Sequence, residues 1–190
     1  MKELKRFCSF LVVAILFISC DKTTDFYTIQ GEAQGSTYSI KYIAIEEKVT
    51  KNQIDSLLTA FDLSLSTYRP DSKISKINTG DSTVVVDEFF AETFQLSNQI
   101  YKETNGLFDP TIGVLVNAYG FGPNKKQENL SQKQVDSLLQ FVGFDKIKLN
   151  ENKTISKKHI QTFIDFNAIA QGYSVDVVVN YLKSKGIENA

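Results

Sequence analysis

Cysteine is nearly absent from this sequence, and the little that occurs lies at one end. Cys8 and Cys20 are its only cysteines, and both precede the body of the chain. The body therefore has no thiol pair from which a disulfide or a thiolate metal site could form. We expect its stability to depend on apolar residues, which make up 42% of the sequence.

An excess of charge of one sign is also missing. The chain has 21 Lys and Arg against 22 Asp and Glu, which gives a formal net charge of −1. Nucleic acid is therefore not expected as a partner, because binding it needs a basic surface. The sequence contains no G-x-G-x-x-G or P-loop motif, zinc spacing or serine elbow. Its single histidine, His159, lies beside a lysine and is predicted to be solvated rather than catalytic.

The longest hydrophobic run lies at the N-terminus. Basic residues precede the apolar run 10–18, which is too short to span a bilayer. The following Ser-Cys pair is similar to the bacterial lipobox, whose cysteine carries lipid. We predict a lipoprotein signal peptide over 1–19, lipidation at Cys20 and a tether over 20–25. This predicts export and a lipid anchor in a bacterial membrane, on the periplasmic side of the inner membrane; a plain signal peptide is the alternative.

The body of the chain alternates strand-like and helix-like patterns. Apolar and polar residues alternate over 26–45, which predicts a hairpin. Apolar residues at helical spacing predict four helices, over about 52–65, from Asp87 as N-cap, from Ser131 as N-cap, and over 168–185 before a Gly186 cap. Short strands are predicted at 84–86, 146–149 and 160–165, and a buried loop over 107–123. This mixed order predicts an α+β fold.

The sequence also predicts which residues of the last two helices face the core. The apolar face of the third helix is predicted to carry Val135, Leu138, Leu139 and Val142, and that of the last helix Val175, Val178, Val179 and Leu182. A helix of this kind normally returns the chain to a sheet, and no strand follows here. We therefore expect 26–190 to be the N-terminal part of a catalytic domain whose C-terminal portion is missing.

Four segments of the body carry a family resemblance. They are Gly31-Glu-Ala-Gln-Gly-Ser-Thr-Tyr-Ser-Ile40, Ser66-Thr-Tyr-Arg-Pro-Asp-Ser72, Thr104-Asn-Gly-Leu-Phe-Asp-Pro-Thr111 and Ile164-Asp-Phe-Asn-Ala-Ile-Ala-Gln-Gly-Tyr-Ser-Val-Asp176. In this order they resemble the ApbE family of FAD:protein FMN transferases. The resemblance implies an ApbE-like mixed sheet with packed helices. It also implies an enzyme that uses Mg²⁺ to move FMN from FAD onto a threonine of a target flavoprotein, releasing AMP.

The resemblance implies roles for individual residues. By matching the family's motifs, the FAD-binding residues would be Gln34, Tyr68, Leu107, Phe108, Asp109, Asn167 and Tyr173, and the backbone carbonyl of Ala170 would bind magnesium. Gln34 stands where the family usually has a methionine that packs on the flavin. Gln171 stands where members of the family most often have a lysine. The N-terminus of the last helix would suit the FAD diphosphate, and the family's aspartate and threonine metal ligands lie downstream of residue 190.

Simpler readings of the same residues stay open at this point. Tyr68 could only pack in a turn, Asp109 could cap Thr111, and Asp165 and Asp176 could brace the last helix. Two other functions also fit: an FAD pyrophosphatase, in which water replaces the threonine, and a flavin-binding lipoprotein with no chemistry.

Overall fold

A computed structural model describes residues 23–123 and 129–190. The predicted signal peptide, Cys20 and the start of the tether lie outside the described residues, so those predictions are untested. The elements in chain order are β1 (Asp25–Ala33), β2 (Ser36–Ala44), α1 (Lys51–Leu65), α2 (Lys73–Asn78), α3 (Glu88–Glu103), α4 (Gly113–Ala118), α5 (Gln132–Leu139), a 3-10 turn (Phe144–Lys146), β3 (Ile147–Leu149), β4 (Ile155–Lys157) and α6 (Asn167–Ser184). The α+β class is confirmed. None of these helices is long and apolar enough to cross a membrane.

The predicted hairpin is confirmed. Strands β1 and β2 pair antiparallel, and Ala33 pairs with Ser36 across the turn. Both turn residues have positive φ, 55° at Gln34 and 73° at Gly35. This is the conformation of a type I′ turn, whose twist matches that of paired strands. The tip of the hairpin therefore has a defined direction and carries Gln34 with it.

Helix α1 connects two apolar clusters. Its first half, with Ile54 and Leu58, packs with the hairpin and with Leu182 of α6. Its second half, with Phe61 and Leu65, belongs to a larger cluster. The other buried members of that cluster are Ile74, Ile77, Val86, Phe90, Phe94, Phe144, Ile147, Ile155, Ile164, Phe166 and Ala170. The hairpin tip, the end of α1 and the start of α6 are thus fixed close together.

The predicted helix starts are confirmed. The Asp87 side chain accepts a hydrogen bond from the backbone N–H of Phe90 at 3.1 Å, which caps α3. Ser131 and Gln134 form the predicted capping box at the start of α5. Gly186 follows the end of α6 with a φ of 70°, as a glycine cap requires.

Two predicted strands are wrong. Residues 84–86 form an extended connection, in which the backbone N–H of Val86 donates to the Lys153 carbonyl at 2.8 Å. Residues 160–165 make only an isolated bridge, between Phe163 and Ile112, and the strand that pairs with β3 is β4. Both segments are only partly buried, with Val85 55% and Ile160 65% exposed, and no neighbouring strand among the described residues offers them a ladder.

Three further predictions need correction. The predicted loop 107–123 contains helix α4. Helix α5 has no buried residue, and Leu139 is 43% exposed. Val175, predicted to point inward, is 59% exposed, whereas Leu182, predicted on the same face, is buried together with Ala170 and Ser174.

Candidate active site

A cleft of about 530 Å³ opens between the hairpin tip, the end of α1 and the first turns of α6. Its lining residues are Gln34, Gly35, Phe61, Asp62, Leu65, Ser66, Tyr68, Asn167, Ala170 and Gln171. The volume lies within the range of roughly 300–1,000 Å³ that is usual for small-molecule sites. Four of the predicted site residues, from three separate segments, therefore meet at one cavity.

Gln34 lies at the hairpin tip with its side chain turned toward α6. The Ser174 hydroxyl donates to its Oε1 at 3.1 Å. Its Nε2 is buried and lies beside the Asp62 carboxylate, whose pKa this amide lowers by hydrogen bonding.

Tyr68 lies at the rim of the cleft. Its ring is 56% exposed, and its hydroxyl donates to the Phe121 carbonyl at 3.4 Å. Phe121 is itself 76% exposed. An exposed aromatic ring beside a cavity can stack on a flat ligand ring, so this geometry is compatible with the role that the resemblance implies.

Leu107, Phe108 and Asp109 do not line the cleft. Leu107 is 93% exposed. The Asp109 carboxylate accepts hydrogen bonds from the Thr111 backbone N–H at 2.8 Å and from its hydroxyl at 2.6 Å. The capping reading of Asp109 thus describes its observed contacts, and contact of these three residues with FAD stays a prediction.

The N-terminus of α6 forms one side of the cleft. The Asn167 N–H donates to the Asp165 carboxylate at 2.8 Å, and the N–H groups of Ile169 and Ala170 donate to the Phe166 carbonyl. These three N–H groups are therefore engaged within the chain, and binding of the diphosphate at this helix end stays a prediction. The Asn167 side chain lines the cleft and donates to the Thr67 hydroxyl at 3.4 Å.

Tyr173 lies behind the cleft rather than in its lining. Its ring packs against Phe61, with 5.8 Å between the centroids, and its hydroxyl donates to the Glu92 carboxylate. Burial is the main cause that raises the pKa of Tyr173, and the hydrogen bond to Glu92 acts in the same direction. It supports the cleft through Phe61, and its direct contact with FAD stays a prediction.

Asp62 is a cleft residue that sequence reasoning missed. Burial raises the pKa of its carboxyl, while Arg69 and the Gln34 amide act in the opposite direction. Arg69 is already held by Asp71 through two hydrogen bonds of 3.1 and 2.8 Å. In the sequence, the feature that could have placed Asp62 at the cleft is its position three residues before Leu65, at the border of the apolar face of α1.

Asn78 and Lys157 position the start of α6 from a distance. The Asn78 amide donates to the Ile164 carbonyl and accepts from the Ile164 N–H, both at 2.8 Å. The Lys157 ammonium donates to the carbonyls of Asn78, Ile160 and Thr162, and burial lowers its pKa. These contacts fix the path of the chain that leads to the cleft.

Asp165 is the other acidic residue next to the cleft, and it braces α6. Burial raises the pKa of Asp165, while the N–H of Asn167 acts in the opposite direction. The bracing alternative considered for Asp165 is therefore the contact that the structure shows.

The described residues do not form a complete metal site. Residues 23–123 and 129–190 contain no group of three or more His, Cys, Asp or Glu side chains placed to hold a metal ion. Ala170 lines the cleft and could offer one carbonyl oxygen. Magnesium prefers six oxygen ligands, so this carbonyl alone is insufficient.

Comparison with known proteins extends the likeness from the four segments to nearly the whole of this chain. The chain is 32% identical to the FAD:protein FMN transferase of Haemophilus influenzae over 100% of its length, and 33% identical to that of Vibrio cholerae over 94%. It covers 58% and 55% of these two relatives. The chain therefore spans a little over half the length of the curated relatives it matches.

Solved structures give the same result. The flavin transferase ApbE from Vibrio cholerae matches with a TM-score of 0.79 at 30% identity, over 88% of this chain and 56% of that one. The apo flavinyl transferase ApbE of Pseudomonas stutzeri matches with a TM-score of 0.78 at 27% identity, over 86% and 54%. The ApbE family model matches residues 34–190, from the hairpin tip through α6. The chain belongs to the ApbE family.

Proposed function

We propose that the protein containing this chain is an FAD:protein FMN transferase. In this reaction the hydroxyl oxygen of a threonine on a target flavoprotein attacks the FMN phosphorus of FAD. The bond between that phosphorus and the bridging diphosphate oxygen breaks, AMP leaves with the bridging oxygen, and the hydroxyl proton is released. The product is FMN joined to the threonine by a phosphoester.

The cleft is the observation that carries this proposal. Gln34, Tyr68, Asn167 and Ala170 come from three separate segments and line one cavity of about 530 Å³. Phe61 and Leu65 provide an apolar wall, and Tyr68 provides an exposed ring at the rim. An apolar wall with a few polar groups suits a flat heteroaromatic ligand such as a flavin.

The proposed work of the described residues is binding and orientation. Tyr68 would stack on a ring of FAD, and Asn167 would hydrogen-bond to the substrate near the start of α6. Phosphoryl transfer depends mainly on positioning and on neutralising charge, so residues that fix the diphosphate affect the rate strongly.

Magnesium and the membrane anchor are further parts of the proposal. Bound Mg²⁺ would neutralise charge on the diphosphate, with the Ala170 carbonyl as one ligand and, by family resemblance, an aspartate and a threonine beyond residue 190. Lipid on Cys20 would hold the protein at the periplasmic side of the inner membrane, where its targets would be exported or membrane-bound flavoproteins.

The test uses the full-length protein encoded by the reading frame that contains this chain. It is incubated with FAD, Mg²⁺ and a flavoprotein domain bearing the acceptor threonine, and covalent flavin fluorescence and AMP are measured. We expect labelling that EDTA abolishes and that an acceptor with alanine at the threonine does not show. Release of AMP without label would indicate a pyrophosphatase, and bound FAD without AMP would indicate a flavin carrier.

A matched pair of variants connects this activity to the cleft. Asn167→Ala removes a lining side chain and is expected to lower the labelling rate at least about tenfold, the usual loss for one well-placed polar contact. Asn180→Ala changes an exposed residue of the same helix and should leave the rate unchanged. Equal rates for the two variants would separate the activity from this cleft.

A further inference from the structure

The end of the hairpin that follows the tether carries exposed apolar side chains. Phe26 on β1 pairs with Ile43 on β2, and Ile45 follows two residues after Ile43. Phe26 is 80% exposed, and Ile43 and Ile45 are also exposed. Tyr42 and Ala44, which alternate with them, are buried in the cluster that the hairpin shares with α1. The three exposed residues therefore lie on the outer face of the hairpin, and we call them the outer patch.

The rest of this outer face is polar. Toward the tip it carries the exposed cross-strand pairs Thr28–Lys41, Gln30–Ser39 and Glu32–Thr37. The solvated face of an antiparallel sheet is normally polar along its length. Apolar residues that are confined to one end of such a face indicate a contact at that end.

The residues that run beside β2 after α6 do not cover the outer patch. The backbone N–H of Ile43 donates to the Asn189 carbonyl at 3.1 Å. A backbone bond of this kind lies in the plane of the strands, whereas the side chains stand perpendicular to that plane. The segment after α6 therefore lies along the edge of the hairpin and leaves its outer face open.

The place of the outer patch in the chain indicates what it contacts. Phe26 follows Cys20 by six residues, which reach at most roughly 20 Å when fully extended. Lipid on Cys20 would therefore bring this end of the hairpin to the surface of the bilayer. Asp25, Glu46 and Glu47 lie at the same end, so the contact would depend on apolar burial and not on attraction to anionic headgroups.

We propose that the outer patch contacts the membrane, with Phe26, Ile43 and Ile45 entering the boundary between headgroups and acyl chains. This inference rests on the lipid anchor of the proposed function. Gln34, at the cleft, lies at the opposite end of the hairpin, roughly 25 Å from Phe26 at the usual rise of a strand. Contact at the tether end would therefore keep the cleft away from lipid and open to an acceptor protein.

The test uses the full-length lipidated protein with a fluorescent side chain in the outer patch. The 190 residues contain no tryptophan, so Phe26→Trp adds an identifiable emission once the wild-type signal is subtracted. Gln30→Trp, at an exposed position four residues further along the same face, is the matched control. Both are bound to phosphatidylcholine vesicles with and without bromine on the acyl chains. We expect bromine to quench Phe26→Trp at least about threefold more than Gln30→Trp, since interfacial side chains lie about 5–10 Å deep.

Iodide in the water distinguishes the membrane from other partners of the outer patch. The Cys20→Ser background carries no lipid and is studied without vesicles. There, iodide should quench Phe26→Trp as fully as Gln30→Trp, because both positions face water. Binding of the lipidated protein to vesicles should then protect only Phe26→Trp.

Three results would overturn the inference. Equal bromine quenching at the two positions would show that the outer patch does not enter the membrane, although the anchor holds. Protection of Phe26→Trp from iodide without vesicles would mean that another segment or a second copy of the chain covers it, and light scattering would identify a dimer. A wild-type protein without lipid on Cys20 would overturn the anchor and this inference together. Flavin transfer to a soluble acceptor, measured on the same preparations, distinguishes a failed membrane contact from a failed transferase.

Discussion

Single residues near the cleft have environments that their sequence neighbours do not reveal. Asp165 follows buried Ile164 and precedes buried Phe166, and burial raises its pKa. Asp62 looks like part of a solvated helix face in the sequence, yet it lines the cleft. Both are half-buried acids beside an apolar cluster; the pKa of Asp62 is affected by Gln34, distant in sequence, whereas that of Asp165 is affected by Asn167, two residues further along.

Asp165 leads to a prediction about stability and pH. Because its pKa is raised in the folded state, its contribution is fully present below the unfolded-state pKa and is lost as pH rises through the folded-state value. Asp165→Asn keeps an oxygen to accept the Asn167 N–H but cannot ionise. The variant should therefore be more stable than the wild type at neutral pH, and the difference should shrink as the pH approaches 3 to 4.

Urea unfolding across this pH range measures the effect, with Asp136→Asn on the exposed face of α5 as the control. The informative quantity is the change in the variant's advantage with pH. An advantage that grows on acidification would mean that the folded protein stabilises the Asp165 carboxylate, which would contradict the burial argument.

At the scale of elements, the four long helices, the hairpin and strand β3 were predictable, whereas the short helices α2 and α4 were missed and the strands predicted at 84–86 and 160–165 are absent from the described residues. A helix or hairpin shows its period within its own sequence, as α1 and β1–β2 do. The apolar run at 160–165 carries the composition of a strand, but the Asn78 amide supplies the hydrogen bonds of Ile164 that a neighbouring strand would have supplied. One side chain from α2 thus decided the local structure of a distant segment.

The site residues likewise divide into what the sequence identifies and what only the fold reveals. Gln34, Tyr68, Asn167 and Ala170 were identified by resemblance, and only the fold shows that they share a cavity. The hydrogen bonds from Thr111 to the Asp109 carboxylate match the capping alternative that the local sequence already suggested, not the role that the resemblance implies.

The contact between α4 and the segment before α6 leads to a second prediction. A methyl group at Gly113 would lie 2.5 Å from a ring carbon of Phe163 and 2.9 Å from its carbonyl oxygen. The carbonyl belongs to the backbone and cannot move aside without shifting the start of α6. Gly113→Ala should therefore destabilise the protein by about 1 to 3 kcal/mol, as other overpacked sites do.

Gly172→Ala is the matched control for this change. Gly172 lies inside α6, and nothing lies within 4 Å of an added methyl group. Replacing an interior helical glycine with alanine should stabilise the protein by about 0.5 to 1 kcal/mol. Denaturant midpoints measure both variants, and equal effects of the same sign would refute the packing argument.

At the scale of the whole molecule, the chain combines a domain of the ApbE family with a predicted lipid anchor. The short tether, residues 20–25, would keep the domain close to the membrane surface, where exported flavoproteins could reach the cleft. A single lipid chain binds membranes weakly, whereas two or more anchor a protein stably. The diacylated cysteine of a lipoprotein would therefore hold the domain durably.

Cys20→Ser tests this arrangement in the producing bacterium. Loss of the only lipid-accepting side chain should move the protein from the membrane fraction to the soluble exported fraction and abolish incorporation of labelled palmitate. Cys8→Ser changes the other cysteine, inside the predicted signal peptide, and should leave both properties intact. If Cys20→Ser stayed fully membrane-bound and labelled, the anchor would lie elsewhere. Purified Cys20→Ser protein should still flavinylate a soluble acceptor, because the cleft is built entirely from residues 34–171.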